Sequence, residues 1–257
     1  MITFGELTTG AWGAAWGATE ASVVVGSLGP GAAADVPAPG LAGVAPGPAG
    51  LGTPATIEGT AHDGDWTLAG ERADLTLSAA GEPAAAANGF DQLCRVRGWI
   101  VVGDARHPVD SLGRRGVCPA LDLHELGSIR DLSGWFEPGE GLALRSLRSR
   151  GARGHDRDVV TAALLAPAGV SATAVAEPRM STTYAADGRP TRVSLELWLE
   201  EEEDGEQYAR RFAGEAIGPG AELSCEQAGV HARPLRWHSR GRQGAGVYLL
   251  VAPRRLR

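Results

Sequence analysis

Apolar and polar residues alternate along much of this chain. In the segment 192–199 every second side chain is apolar, so Val193, Leu195, Leu197 and Leu199 share one face of a strand and Trp198 turns to the other. Just before it, Asp187-Gly188 accepts the positive φ angles of a tight hairpin and joins 180–186 to this strand. The same device predicts hairpins at Asp63-Gly64, between strands 55–62 and 65–70, and at Gly103-Asp104, between 93–102 and 105–110. Breaks at Pro138-Gly139 and Pro219-Gly220 bound further strands at 129–136, 142–149, 208–217 and 221–227, and the run 246–251 supplies a last one. No stretch sustains a helical period. Short strands with frequent turn signals predict an all-β fold of antiparallel barrels or sandwiches, with little helix.

Three segments read differently. The Gly-, Ala- and Pro-rich stretch 29–54 and the Ala run within 81–88 are expected as loops, because Pro and Gly interrupt them too often for central strands. The acidic run 200–206 reads as a solvated hairpin tip. Between Arg115 and Gly127 the pattern shifts, which predicts two packed halves, 1–120 and 121–257, each with its own curved sheet.

Composition narrows the function. At 257 residues and 43% hydrophobic the chain can bury a sizeable core. A net charge of −7 speaks against a nucleic-acid partner, whose phosphates call for clustered cations. All 24 cationic residues are Arg. Without Lys, neither Schiff-base catalysis nor a P-loop lysine is available. Cys94, Cys118 and Cys225 are widely spaced, with no Cys-x-x-Cys pair, and predict neither a disulfide framework nor a thiolate zinc site. The six histidines have no metal-ligand spacing, and nucleotide and serine-hydrolase fingerprints are absent, so no metal and no cofactor are expected. With no leader pattern and no apolar run of about 20 residues, a cytoplasmic protein without an integral membrane segment is expected.

Two segments carry a resemblance. Cys94-Arg95-Val96-Arg97-Gly98-Trp99-Ile100-Val101-Val102-Gly103-Asp104, with His107-Pro108-Val109-Asp110-Ser111-Leu112-Gly113-Arg114-Arg115-Gly116, and the later run from Arg236 to Tyr248, resemble the two-domain lipocalin-like group of hydroxyneurosporene synthase (carotenoid hydratase), the tocopherol cyclases and AttH-type proteins. The likeness extends from about Ala55 to the C-terminus. It implies two lipocalin-like domains, a hydrophobic ligand, and in some members acid-initiated hydration or cyclisation of an isoprenoid double bond. The chain also departs from the group. Where many members carry a run like Asp-His-Ser-Trp-Gly-x-Arg-Asp-Trp, this sequence reads Gly116-Val117-Cys118-Pro119-Ala120-Leu121-Asp122-Leu123-His124.

Protonating an alkene requires an acid kept neutral by a dry pocket, beside aromatic faces that stabilise a carbocation. The candidate acids are Asp110 and Asp122, with His124 near the second. The candidate ligand contacts are Trp99, Arg115, Trp135, Trp237, His238 and Tyr248. Each has an ordinary structural reading as well: Asp110 pairing with Arg114 or capping a turn, the histidines hydrogen-bonded at the surface, the tryptophans packed in a core. Three functions stay open: a non-redox hydratase or cyclase acting on an isoprenoid- or polyketide-like molecule, a carrier of such a ligand, and a β interaction module. The sequence specifies neither the ligand nor an oligomeric state.

Overall fold

The computed structural model describes residues 1–7, 10–17, 20–27, 52–59, 61–86, 89–118, 121–154, 158–199, 209–218, 220–224 and 228–253. Among these residues there is no helix, and the strands form two curled antiparallel sheets. Most of the stretch 29–54 and all of the acidic run 200–206 lie outside the described residues.

The first sheet contains β1 (Ile2–Gly5), β2 (Ala11–Gly17), β3 (Glu20–Ser27), β4 (Thr53–Glu58), β5 (Trp66–Gly70), β6 (Ala73–Ala79), β7 (Ala84–Ala86), β8 (Gly89–Val102) and β9 (Ala105–Val117). Its order is β6-β5-β4-β3-β2-β1-β9-β8-β7, and a further pairing of β6 with β8 closes it into a barrel. Period-2 alternation sends Ile2, Phe4, Leu68, Leu75, Leu77, Val96 and Ile100 inward, where all are fully buried with Trp66. The expected loop at 81–88 contains a short strand, β7, because residues 84–86 find the free edge of β8 at Asp91, Phe90 and Gly89.

Arg115 also points into this barrel. The polar run Gly113-Arg114-Arg115 resembles a turn, but β9 runs straight through it, so Arg114 and Arg115 face opposite ways. The Arg115 guanidinium donates to the carbonyls of His62, Gly64 and Leu77 at 2.7, 2.6 and 2.8 Å and to Gln92 Oε1 at 2.9 Å. The expected tight turn at Asp63-Gly64 is therefore a wider loop, fastened from inside by Arg115 and by Trp66 Nε1, which donates to Ala61 O at 2.8 Å.

The second sheet contains β10 (Leu126–Phe136), β11 (Glu140–Ser149), β12 (Val159–Leu165), β13 (Thr173–Ala174), β14 (Glu177–Tyr184), β15 (Pro190–Trp198), β16 (Arg210–Ala216), β17 (Ala221–Ser224), β18 (Ala228–Ser239) and β19 (Arg242–Pro253). Its order is β13-β12-β11-β10-β19-β18-β16-β15-β14, with β17 on β18. The edges approach each other where the chain passes from β13 to β14: Val175 N donates to Ala162 O at 3.0 Å and Ala176 N to Trp198 O at 2.9 Å. Leu132, Leu142, Leu144, Val193, Leu195, Leu197 and Leu235 fill the concave face around Trp237. Trp237 sits in a slot cut by glycines on three strands: a Cβ on Gly134, Gly214 or Gly246 would meet its ring at 2.8, 2.9 and 2.3 Å.

The outer faces of β8–β10, β18 and β19 pack the sheets together. Apolar side chains including Trp12, Leu93, Leu112, Ile129, Trp135, Val247 and Leu249 surround a buried ionic network. Arg114 of β9 binds Asp131 of β10 through both carboxylate oxygens, at 2.7 and 3.1 Å, and Asp91 of β8 at 2.9 Å. Arg145 of β11 reaches Asp131 at 3.0 Å. Burial alone would raise the Asp131 pKa, but Arg114 and Arg145 outweigh it and hold the carboxyl below the usual range. Thr3 Oγ1 meets Ser133 Oγ at 2.8 Å, and Trp135 Nε1 donates to Gly5 O at 2.9 Å.

Candidate ligand-binding cleft

The inward positions of the second sheet change character at one end of the strands. Along β16 the inward residues are Gly214, Phe212 and Arg210; along β19 they are Gly246, Gly244 and Arg242. Phe136 ends β10, Glu140 begins β11, Leu164 lies near the end of β12, and Ser239 ends β18. Here the strands no longer close over the core, and a cleft of about 390 Å³ opens. A volume of that size falls in the range of small-molecule sites.

The floor of the cleft is apolar. Phe136 and Phe212 lie with ring centroids 5.9 Å apart, and Phe212 meets Trp237 beneath it edge to face at 6.5 Å. Leu164, Leu165, Pro167 and Val170 form one wall. Val170 is 53% exposed, unusual for an aliphatic side chain among the described residues. Arg210, Arg240 and Arg242 supply the rim. Arg242 is held in place: its Nη1 donates to Glu140 Oε2 at 2.7 Å, its Nη2 to Glu137 O at 2.5 Å, and its guanidinium lies 5.8 Å above the Phe136 ring.

The residues expected from sequence are scattered. Asp110 is on the outer face of β9, its side chain 57% exposed, paired with Arg95 and Arg97 and not with Arg114. The Arg95 hydrogen bond holds its carboxyl below the usual range, which favours the anion over a proton donor. Asp122 and His124 share an exposed turn between the sheets, where Asp122 Oδ1 accepts the His124 backbone N–H at 2.8 Å. Trp99 is half-buried on the outside of the first barrel under the Arg106 guanidinium, 3.9 Å from its ring. Arg115 is spent inside that barrel, and Trp135 lies between the sheets with its N–H satisfied. His238 is half-buried on the strand face opposite Trp237.

Trp237 and Tyr248 do share the concave face of the second sheet. Trp237 is fully buried under the cleft floor and donates its indole N–H to Ser133 O at 2.9 Å. Tyr248 lies toward the opposite end, 3.3 Å from the Tyr184 hydroxyl, and its pKa is raised by burial and then by that contact. Beside it Arg130 donates to Ser146 Oγ at 2.8 Å and pairs with Asp158. Sequence reading missed Phe136, Leu164, Phe212, Arg210 and Arg242. The alternation along 208–217 and 129–136 marks which of these face inward, but not that the strands part there.

Among the described residues no cluster of His, Cys, Asp and Glu could hold a metal ion, and no helix is long and apolar enough to cross a membrane. The chain matches no protein-family model and no curated protein. Among solved structures, it is similar to that of an AttH from Nitrosomonas europaea, with a TM-score of 0.51 at 13% identity over 77% of this chain and 67% of that one. A kievitone hydratase from Nectria haematococca aligns over 98% of this chain and 88% of its own, with a TM-score of 0.48 at 12% identity. The chain thus has the two-halved, all-β lipocalin-like fold.

Proposed function

We propose that this chain binds an apolar small molecule, isoprenoid- or polyketide-like in character, in the cleft at the mouth of the second sheet. The observation that carries the reading is the pairing of Phe136 and Phe212 as a preformed aromatic floor, with Phe212 half-buried at the opening, Phe136 buried beside it and Trp237 bracing it from below. The interior of the first barrel is occupied by its own apolar side chains and by Arg115. A binding role is favoured over hydration or cyclisation, because alkene protonation needs a desolvated acid. Glu140 is the carboxylate on the cleft, and it is 64% exposed and engaged by Arg242.

Titration with N-phenyl-1-naphthylamine, an uncharged probe that fluoresces when it leaves water, tests this. Saturable binding is expected, and Leu164→Gln is expected to weaken it roughly tenfold by removing apolar contact, with thermal unfolding used to confirm the fold. Absence of saturation, or binding indifferent to Leu164→Gln, would overturn the cleft as the site.

A further inference from the structure

The rim of the cleft carries two arginines whose charge no carboxylate among the described residues matches. On the outer faces of the second sheet, cationic side chains have carboxylate partners: Arg211 pairs with Glu196 at 3.2 Å, Arg192 with Glu215 at 3.3 Å and Arg179 with Glu177 at 2.7 Å. At the cleft, the charge of Arg242 is likewise matched by Glu140. Arg210 and Arg240 break the pattern. Neither forms an ion pair with a described residue, although the chain as a whole carries a net charge of −7. Arg210 occupies the inward position next after Phe212 on β16 and is half-buried, so its guanidinium stands at the edge of the apolar floor. Arg240 rises from the β18–β19 turn with a φ of 50°, the one left-handed non-glycine among the described residues, and lines the same opening.

We propose that the occupant of the cleft is an organic anion: an apolar body resting on Phe136 and Phe212, with a terminal acidic group at the solvent end bound by Arg210 and Arg240. This rests on the reading of the cleft as a ligand site. Guanidinium groups bind carboxylate, sulfonate or phosphate oxygens through paired N–H donors, and the apolar surroundings on one side reduce competition from water. Arg242 is not assigned as the anion receptor, because its charge is already matched by Glu140 and one N–H of each terminal nitrogen is held by Glu140 and Glu137; its part is to shape the rim over Phe136.

A matched pair of probes separates the two proposals. 1-Anilinonaphthalene-8-sulfonate is N-phenyl-1-naphthylamine with one added sulfonate. The wild-type chain is expected to bind the sulfonate more tightly than the neutral amine. Arg210→Gln combined with Arg240→Gln is expected to weaken the sulfonate roughly tenfold and to leave the amine within about twofold of wild type. Equal affinity of the wild type for both probes, or a sulfonate affinity unmoved by the double variant, would overturn the anion site and leave the cleft standing. No saturable binding of the amine would overturn the cleft itself.

Discussion

Asp131→Ala is expected to destabilise the whole chain by about 3–5 kcal/mol and to lower its Tm by about 10 °C. The carboxylate is 1% exposed and joins Arg114 of the first sheet to Arg145 of the second. Its removal leaves two buried guanidinium groups with Asp91 as the remaining carboxylate, 2.9 Å from Arg114 and 3.7 Å from Arg145. The loss is large because an uncompensated buried charge is left behind, not because the intact network is strongly stabilising. Urea unfolding followed by circular dichroism measures it. A loss below about 1 kcal/mol, the range of an exposed pair, would show that the network is not part of the inter-sheet core.

The same residue sets a pH dependence. The folded-state pKa of Asp131 is depressed, so its contribution is fully present above the unfolded carboxyl value of roughly 4 and is lost as pH falls through the lower folded value. Wild type should therefore lose stability steeply below about pH 4, and the Asp131→Ala variant more gently over the same window.

Trp237→Ala is expected to cost about 3–5 kcal/mol, again read by urea unfolding. Gly134, Gly214 and Gly246 exist at their positions to admit the indole, and none has a side chain that could move into the space it leaves. The substitution also strips Ser133 O of its donor and Phe212 of its edge-on support. A cost under about 1 kcal/mol would mean that the slot closes by strand movement, and that the cleft floor does not depend on Trp237.

Much of this architecture is legible in the sequence. Alternation in 192–199 places Val193, Leu195 and Leu197 inward as observed, and the Gly103-Asp104 and Asp187-Gly188 turns lie where hairpins form. Local pattern fails where long-range contacts decide. Gly113-Arg114-Arg115 looks like a polar turn, yet it is strand, because one arginine is neutralised across the sheet interface and the next is wrapped by carbonyls from residues 62, 64 and 77. β1–β3 went unread because Gly and Ala hold many of their positions and mask the period. The cleft was hidden for a related reason. Phe136, Leu164 and Phe212 carry the same inward signal as any core residue, and only the spacing of strands β10, β12 and β16 at their ends separates a filled interior from an open mouth. Arg240 and Arg242 flank Gly241 in the turn between β18 and β19, and nothing in their local sequence marks them as the rim of a cleft.

The decisive measurement is a crystal structure of the chain with N-phenyl-1-naphthylamine bound. The naphthyl and phenyl rings should lie between Phe136, Leu164 and Phe212, above Trp237 and within the arginine rim. Rings found between the two sheets or inside the first barrel, with the cleft at Phe212 empty, would contradict the account.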